Sequence, residues 1–215
     1  MGIADFLFSC RCKLCNRQLK RGSICSVCDL KLNSKINLRK RTLYTDTSKI
    51  ECYYLFDYDE DTKRILFALK RNADKHLLSY AASLYGQCVP EDFNGTVTCV
   101  PRRRMNVRNF GYDHVEIPCK IMSKQLNLDF LNIIKRKGLS KDQKNLNSAQ
   151  RQENVRGKFC IIKKDIPKNI LLADDVVTTG NTFIECAKVL LEANPHTKIT
   201  GIFLASGNLA GSPFE

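Results

Sequence analysis

The apolar residues beyond position 50 follow two kinds of pattern. Short continuous runs rich in β-branched and aromatic residues are typical of buried strands, and segments that repeat apolar residues every three or four positions predict helices. Runs of the first kind cover residues 50–58, 96–100, 128–134, 159–162, 169–174 and 198–206, and segments of the second kind cover 60–70, 74–88, 113–126 and 182–193. Strands that alternate with helices predict an α/β fold with a mainly parallel sheet flanked by helices.

Changes in residue type along the chain predict how it is divided. Residues 1–32 are dense in cysteine and lack an apolar period, so we expect a small metal-binding module there. Residues 33–49 are polar and basic and predict a linker. The α/β domain is expected over residues 50–206, and the small, polar residues 207–215 predict a disordered tail. Within the domain, residues 135–158 lack an apolar period and predict a long loop or a partial helix.

Composition narrows the class of protein. The chain has 215 residues, of which 43% are hydrophobic, enough for the core of one ordinary domain with a small appendage. No segment approaches the roughly 20 apolar residues of a membrane span, so no membrane insertion is expected. The N-terminus lacks the basic and apolar regions of a secretory signal. We therefore expect a cytoplasmic protein.

The charge balance points to the chemistry of its partners. The chain carries 35 lysines and arginines against 22 acids, a formal net charge of +13. Such an excess favours polyanions, among them nucleic acid, nucleotide phosphates and acidic membrane surfaces. A surface that serves only solubility is the alternative.

The stretch at residues 170–182, ILLADDVVTTGNT, joins a buried strand to a helix. Asp174 and Asp175 stand at the carboxyl end of this strand, where open α/β sheets bind their ligands. The small residues that follow lead into a helix, whose free backbone N–H groups suit a phosphate. Carboxylates accept hydrogen bonds and suit the hydroxyls of the same sugar. A helix N-cap alone needs only one such residue, whereas this stretch has two acids, three threonines and a glycine.

This stretch is neither a Walker A loop nor a dinucleotide fingerprint, because GxxxxGK[ST] and GxGxxG are absent. It resembles the phosphoribosyl-pyrophosphate (PRPP) motif of type I phosphoribosyltransferases. The resemblance implies that Asp174 and Asp175 act as the catalytic acids and hold the ribose hydroxyls, together with Mg²⁺ and PRPP. It further implies that the rest of the turn binds PRPP through Val176, Val177, Thr178, Thr179, Gly180, Asn181 and Thr182.

A second basic motif follows the run at residues 96–100. Arg102, Arg103 and Arg104 come directly after Pro101, and guanidinium groups clustered at a strand end suit a diphosphate. An exposed, solvated basic turn is the alternative. The resemblance implies that these three arginines contact the pyrophosphate of PRPP.

The N-terminal cysteines form two CxxC pairs, Cys12/Cys15 and Cys25/Cys28. Each CxxC turn directs two thiolates toward one centre, and two such turns supply the tetrahedral four-sulfur shell that suits zinc. We assign this Zn²⁺ a structural role, since so small a module has too little core to fold alone. Disulfides are the main alternative, and Cys10 competes with Cys12 as a ligand.

Together with the cysteine module, the order of motifs resembles the ComF family of competence-associated, phosphoribosyltransferase-like proteins. The matching positions are Cys12, Cys15, Cys25, Cys28, Leu55 to Tyr58, Lys70, Val100-Pro101, Gly111-Tyr112, Gln143, Arg151, Asn154-Val155 and the DDVVTTG turn. One segment departs from the family. Where Arg-Gly-Phe-Asn is usual, this chain has Phe110-Gly111-Tyr112-Asp113, and the nearest arginine is Arg108.

The resemblance leaves two functions open. In the first, the chain binds Mg-PRPP and handles incoming single-stranded DNA in natural transformation, at the inner face of the membrane, with a competence helicase or a membrane channel as partner. In the second, it is an active phosphoribosyltransferase that acts on a nitrogenous base. Residues proposed to contact DNA are Lys35, Arg39, Lys40, Arg41, Arg102 to Arg104, Arg108, Lys135, Arg136, Lys137, Lys141 and Lys144. Aromatic residues considered for base stacking are Tyr53, Tyr54, Phe56, Phe110 and Tyr112, with burial in the core as the alternative for most of them.

Overall fold

The computed structural model describes residues 10–137 and 157–207. Its strands are β1 (Cys10–Arg11), β2 (Gln18–Leu19), β3 (Arg39–Tyr44), β4 (Lys49–Asp57), β5 (Thr96–Cys99), β6 (Asp129–Phe130), β7 (Ile134–Arg136), β8 (Phe159–Ile161), β9 (Asn169–Val177) and β10 (Lys198–Ser206). Its helices are α1 (Ser26–Asn33), α2 (Glu60–Asn72), α3 (Lys75–Gln87), α4 (Arg104–Phe110), α5 (Glu116–Gln125) and α6 (Asn181–Ala193).

Six strands form the central sheet, in the order β3-β4-β10-β9-β5-β6. All neighbouring pairs are parallel except β3 with β4. The carboxyl ends of β4, β10, β9 and β5 therefore meet at one edge, which we call the upper edge of the sheet. The predicted mainly parallel sheet flanked by helices, with a small four-cysteine module before it, is confirmed.

Both faces of the sheet are covered, as its strands of nearly continuous apolar residues require. Side chains alternate between faces along β9: Leu171 and Ala173 join the core beneath α2, α3 and α5, whereas Ile170 and Leu172 join the core beneath α6. The antiparallel hairpin of β7 and β8 packs on the same side as α6. Two of the three helices at the first face begin at an aspartate cap, Asp59 for α2 and Asp74 for α3.

The cysteine module packs against the domain. It consists of the short β1–β2 hairpin and α1. Leu32 belongs to the main core, and Leu14 and Ile24 pack on that core. Polar contacts add to the apolar ones: the Ser23 hydroxyl donates to the cap residue Asp74, and Lys31 Nζ lies 2.7 Å from Asp61 Oδ1.

Three predicted segments differ in the structure. Residues 39–44, which were predicted as part of a linker, form the edge strand β3. The sequence does not show this strand, because Leu43 is its one buried residue and most of the others are polar. The run at 128–134 divides between β6, which joins the central sheet, and β7, which pairs with β8. The basic loop after Pro101 contains the helix α4.

Several predictions fall on residues outside the described ranges. They concern Gln143, Arg151, Asn154, Lys141, Lys144, most of the loop at 135–158, and the tail beyond Gly207. Among the described residues, none of the helices has the length and apolar character needed to cross a membrane.

Candidate functional site

The two acids lie within β9 rather than after it. Because side chains alternate along a strand, Asp174 and Asp175 point to opposite faces of the sheet at its upper edge. The Asp175 side chain is 8% exposed and that of Asp174 is 13% exposed. Each carboxylate accepts a hydrogen bond from the next backbone N–H, at 2.9 Å in both cases. The hydroxyl of Tyr85 fixes the strand from below by donating to the Asp174 carbonyl.

One arginine joins the two carboxylates. Arg102, just beyond β5, places Nη2 at 3.1 Å from Asp174 Oδ1 and at 2.8 Å from Asp175 Oδ1. Both acids therefore reach one nitrogen atom although they leave opposite faces of the strand. The Nε of Arg102 is buried and has no hydrogen-bond partner in the described part of the chain. A ligand bound beside the acids would offer this donor an acceptor.

Two further basic side chains contact Asp175. Lys70 Nζ, from the last turn of α2, lies 2.7 Å from Asp175 Oδ2, and His114 Nε2 lies 3.2 Å from the same oxygen. The family resemblance includes Lys70 without a role for it, and no motif in the sequence points to His114. Neither residue lies near Asp175 in the sequence, so only the fold shows that they meet.

The environment shifts the pKa values of the two acids in opposite directions. Burial, with the nearby charge of Asp175, raises the pKa of Asp174 to about 7 despite Arg102. Burial opposes ionisation of Asp175 too, but the hydrogen bond from His114 and the charges of Arg102 and Lys70 hold its pKa well below the usual range. Burial lowers the pKa of His114. Asp175 is therefore the fixed negative charge of the site, whereas Asp174 changes charge near neutral pH.

The predicted phosphate turn encloses a small cavity beside Asp174. This cavity of about 70 Å³ is lined by the turn residues Val176 to Thr182, with Phe183 and Phe203 behind them. Gly180 has φ +75° and starts α6, a left-handed conformation that suits glycine. The residues at the helix start line this cavity, whose volume suits a single small anionic group.

The edge strand β3 supports this turn from the side. Arg41 donates from Nη1 to the Thr178 carbonyl at 3.3 Å and to the Ser206 hydroxyl at 2.9 Å. A Cβ added at Gly180 would lie 2.9 Å from Leu43 Cδ2. Arg41 lies in the segment predicted as a linker. Its contacts with the turn depend on the pairing of β3 with β4, which the sequence does not predict.

Arg102 and Arg103, which follow Pro101, differ in their surroundings. Arg102 is directed to the acids, whereas Arg103 is exposed and close enough to Arg136 to lower the pKa of that guanidinium, after burial. Arg104 is the first residue of α4. The predicted pyrophosphate role has geometric support at Arg102, which borders the acid pair, whereas the side chain of Arg104 lies outside the described part of the chain.

The cysteine module brings its four predicted ligands together. The sulfurs of Cys12, Cys15, Cys25 and Cys28 all lie within 4.8 Å of one another, and Cys15 and Cys25 are 3.6 Å apart. Tetrahedral zinc at about 2.3 Å from each sulfur needs separations near 3.8 Å. Backbone N–H groups of Cys25 and Cys28 donate to Cys12 and Cys25. These contacts are typical of thiolates that hold a metal.

Cys10 was the predicted competitor of Cys12 for the metal, and its position bears on that alternative. Cys10 is exposed in β1 and lies outside the group of four, and none of the described cysteines forms a disulfide. The four sulfurs fit zinc.

The residues predicted to contact DNA differ in their exposure and in whether they pair with acidic side chains. Lys35 pairs with Asp59 and Asp61, and Arg39 forms a bidentate pair with Asp57. Tyr53, Tyr54 and Phe56 are core residues, which leaves only Phe110 and the half-buried Tyr112 accessible among the aromatics considered for stacking. The exposed basic residues include Lys40, Arg103, Arg108, Lys135 and Lys137.

Comparison with known proteins gives a partial match in sequence. No family model matches the chain. Competence protein F of Haemophilus influenzae is 32% identical over 84 residues, which make up 37% of this chain and 37% of that protein. The match thus spans well under two thirds of its curated relative.

Several solved structures are also similar, all at low identity. The structure of the allosteric regulatory enzyme of purine biosynthesis is 14% identical, with a TM-score of 0.45. The match covers 75% of this chain and 34% of the chain of that enzyme. Orotate phosphoribosyltransferase from Aeropyrum pernix is 16% identical, with a TM-score of 0.39. That match covers 83% of this chain and 79% of the chain of the orotate enzyme. Part of the chain is thus similar in sequence to Competence protein F, and the chain combines a mainly parallel sheet with a cluster of four cysteines, as the predicted resemblance implies.

Proposed function

We propose that this chain binds Mg-PRPP at the upper edge of the sheet and handles single-stranded DNA in natural transformation. One observation carries the first part: a buried acid pair adjoins a cavity formed by a glycine-containing turn at a helix start. Phosphate in the cavity and sugar hydroxyls on the acids would match donor to acceptor throughout.

Each side chain has a defined task in this proposal. The backbone of Thr178–Thr182 holds the 5′-phosphate. Asp175, fixed as an anion by Lys70 and His114, accepts from a ribose hydroxyl, and Asp174 accepts from the next one. Mg²⁺ would neutralise the charge of the pyrophosphate and the sugar oxygens. Arg102 then has an oxygen-rich ligand for its unpartnered Nε.

The role in natural transformation rests on different support. Competence protein F is the relative with the sequence match, and the net charge of +13 suits a polyanion. We place the protein in the cytoplasm, at the inner face of the membrane, with a competence helicase or a membrane channel as partner. The zinc ion in the cysteine module has a structural role.

A ligand titration tests the sugar-phosphate site. Wild type should bind Mg-PRPP, and Asp174→Asn and Asp175→Asn should weaken binding by at least about tenfold, the loss expected for a charge-assisted hydrogen bond. Asp165→Asn removes an exposed carboxylate elsewhere and serves as the matched control. Wild type that does not bind Mg-PRPP would refute the proposed site.

Salt dependence tests the DNA part. Affinity for a 12-nucleotide single strand should fall steeply as salt rises, because lysines and arginines release counterions from the phosphates. Arg103→Gln with Arg108→Gln should reduce that slope. Lys168→Gln with Lys198→Gln removes the same charge at the lower end of the sheet and should not. Equal slopes in the two double variants would place the DNA elsewhere.

The enzymatic alternative is supported by Arg102 and Lys70, two cations that contact the acid pair and would offset the charge of a pyrophosphate departing from PRPP bound there. Pyrophosphate release from Mg-PRPP, measured with and without each of the common nucleobases, separates the two functions. Release that depends on a base favours the enzyme, whereas binding without release favours the DNA-handling protein.

A further inference from the structure

A second cavity lies on the other side of the acid pair. It has a volume of about 310 Å³ and opens between the last turn of α2 and the segment from α4 to the start of α5. Its wall includes Lys70, Arg102 and His114, the three side chains that contact Asp175. The phosphate cavity therefore borders the acids at Asp174, and this second cavity borders them through the partners of Asp175.

The walls of this cavity combine aromatic rings with positive charge. Phe67 and Phe110 line it and are 54% and 37% exposed, which is unusual for side chains of this size. The Arg71 guanidinium lies 4.6 Å from the centre of the Phe67 ring. The one acid in the wall, Asp113, is engaged in accepting hydrogen bonds from the N–H groups of Val115 and Glu116.

The cavity wall is held in place by internal contacts. The Tyr112 hydroxyl donates to the Leu69 carbonyl at 2.6 Å and accepts from the Ala73 N–H at 3.0 Å. These bonds tie the segment after α4 to the end of α2, the turn that carries Lys70 and Arg71. The aromatic and basic groups are thus preorganised, which lowers the entropic cost of binding.

We propose that this cavity binds one nucleotide unit, with its base against Phe67 and Phe110 and its phosphate near Arg71 and Lys70. Aromatic faces stack on any base, and guanidinium and ammonium groups bind phosphate. Its volume falls at the lower end of the range for small-ligand sites. The unit is either a free nucleotide or one residue of a single strand. This inference rests on the proposed function, since it would place a base beside the ribose of PRPP.

Three probes separate the sources of the nucleotide. Deoxyadenosine monophosphate represents the free ligand, a 12-nucleotide oligodeoxyadenylate represents the strand, and an abasic 12-mer carries the phosphates without the bases. Phe110→Ala should weaken binding of the monophosphate or the oligodeoxyadenylate by about tenfold, the effect of losing one stacked base. It should leave the abasic strand unaffected, and Phe110→Tyr should restore binding.

Matched variants exclude general effects on surface and charge. Tyr44→Ala removes an aromatic ring that is 61% exposed and lies beneath a lysine, at the lower end of the sheet, so it should change nothing. Arg71→Gln should weaken binding of whichever base-bearing probe wild type binds, whereas Arg64→Gln on the same helix should not. Thermal unfolding of each variant confirms that it is folded.

The outcomes are distinguishable from those for PRPP. Phe110→Ala that binds both base-bearing probes as wild type does would overturn the inference, as would wild type that binds neither. The inference would also be overturned if Phe110→Ala weakened binding of the abasic strand as much as binding of the base-bearing probes, because the lost contact would then not be base stacking. Since the probes are added without PRPP, failure of the PRPP site leaves this result intact, and Phe110→Ala should still bind Mg-PRPP.

Discussion

The cysteine module and the acid-pair site are both built from a few polar side chains, yet they assemble differently. All four module cysteines lie within residues 12–28, and two local turns bring them together. The acid pair takes its partners from Lys70, Arg102 and His114, each on a different segment of the chain. A local spacing was enough to predict which four cysteines come together, whereas the partners of the acid pair needed the fold.

The two sites also differ in what holds their charge. The cysteine cluster needs a cation from outside to offset its thiolates. The acid pair already has its cations in Arg102 and Lys70, so the domain can fold around it without a ligand. Loss of zinc should therefore unfold the module, whereas loss of PRPP should leave the domain intact.

The largest effect is expected from the module. Cys15→Ser should reduce the zinc content from about one per chain to near zero, because a structural zinc site contributes roughly 10 kcal/mol or more. Elemental analysis measures the content, and proteolysis near residues 12–28 reports the unfolding. Cys10→Ser should retain the metal, since Cys10 lies outside the cluster. Zinc lost from Cys10→Ser and kept by Cys12→Ser would mean that the cluster is wrongly assigned.

Removal of Arg102 should give the next largest effect. Arg102→Leu leaves two buried acids without their shared cation, which typically lowers the free energy of unfolding by about 3–5 kcal/mol. Urea unfolding measures the loss, and adding Asp174→Asn to the variant should recover part of it. Arg108→Leu removes an exposed arginine nearby and should cost less than about 0.5 kcal/mol. Equal losses in the two arginine variants would show that the bridge contributes no stability.

The acid pair should also give a pH signature. The folded protein raises the pKa of Asp174 from 3.8 to about 7, so the fold favours its protonated form. Stability from Asp174 is then full below about pH 4 and falls as pH rises toward 7. Asp174→Asn should remove this fall, so the variant should gain stability relative to wild type between pH 5 and 8 in urea unfolding.

Asp175 provides the internal control for this signature. Its pKa is lowered, so its contribution is present at neutral pH and is lost as pH falls below its usual value of 3.8. Asp175→Asn should therefore be less stable than wild type at pH 7, with a difference that shrinks in acid. A common pH profile for the two variants would contradict the opposite assignments.

The smallest effect concerns the phosphate turn. Gly180→Ala should destabilise the protein by about 1–2 kcal/mol for the left-handed backbone, with a further cost because the new Cβ approaches Leu43. Gly111→Ala has the same φ of +75° with no atom within 4 Å, so it measures the backbone cost alone. Thermal unfolding should rank Gly180→Ala below Gly111→Ala, and Leu43→Ala should narrow the gap.

Most of the central sheet was predictable because its strands are buried on both faces and therefore read as apolar runs. The strands β4, β5, β9 and β10 all have this character. By contrast, β3 has one buried residue among six and reads as a basic linker. The short β7 and β8 have too few residues to show a period, and their pairing joins segments far apart in sequence.

The candidate site was predictable to the same extent. Asp174, Asp175 and the turn form one continuous motif, and its chemistry is visible in the sequence. His114 and Arg41 show no such signal, because a single histidine or an arginine among other basic residues is common on any surface. Their roles depend on contacts that span tens of residues, and those contacts exist only once the sheet is assembled.

The bond between Arg41 and Thr178 spans 137 positions along the chain, and this separation bears on the order of folding. Contacts between distant residues form late, because the intervening chain must first be arranged. The module, with its short loops, can close around a metal early. The phosphate turn takes its final form only after β3, β4, β10 and β9 have assembled into the sheet, so we expect ligand-binding competence to be among the last properties acquired during folding.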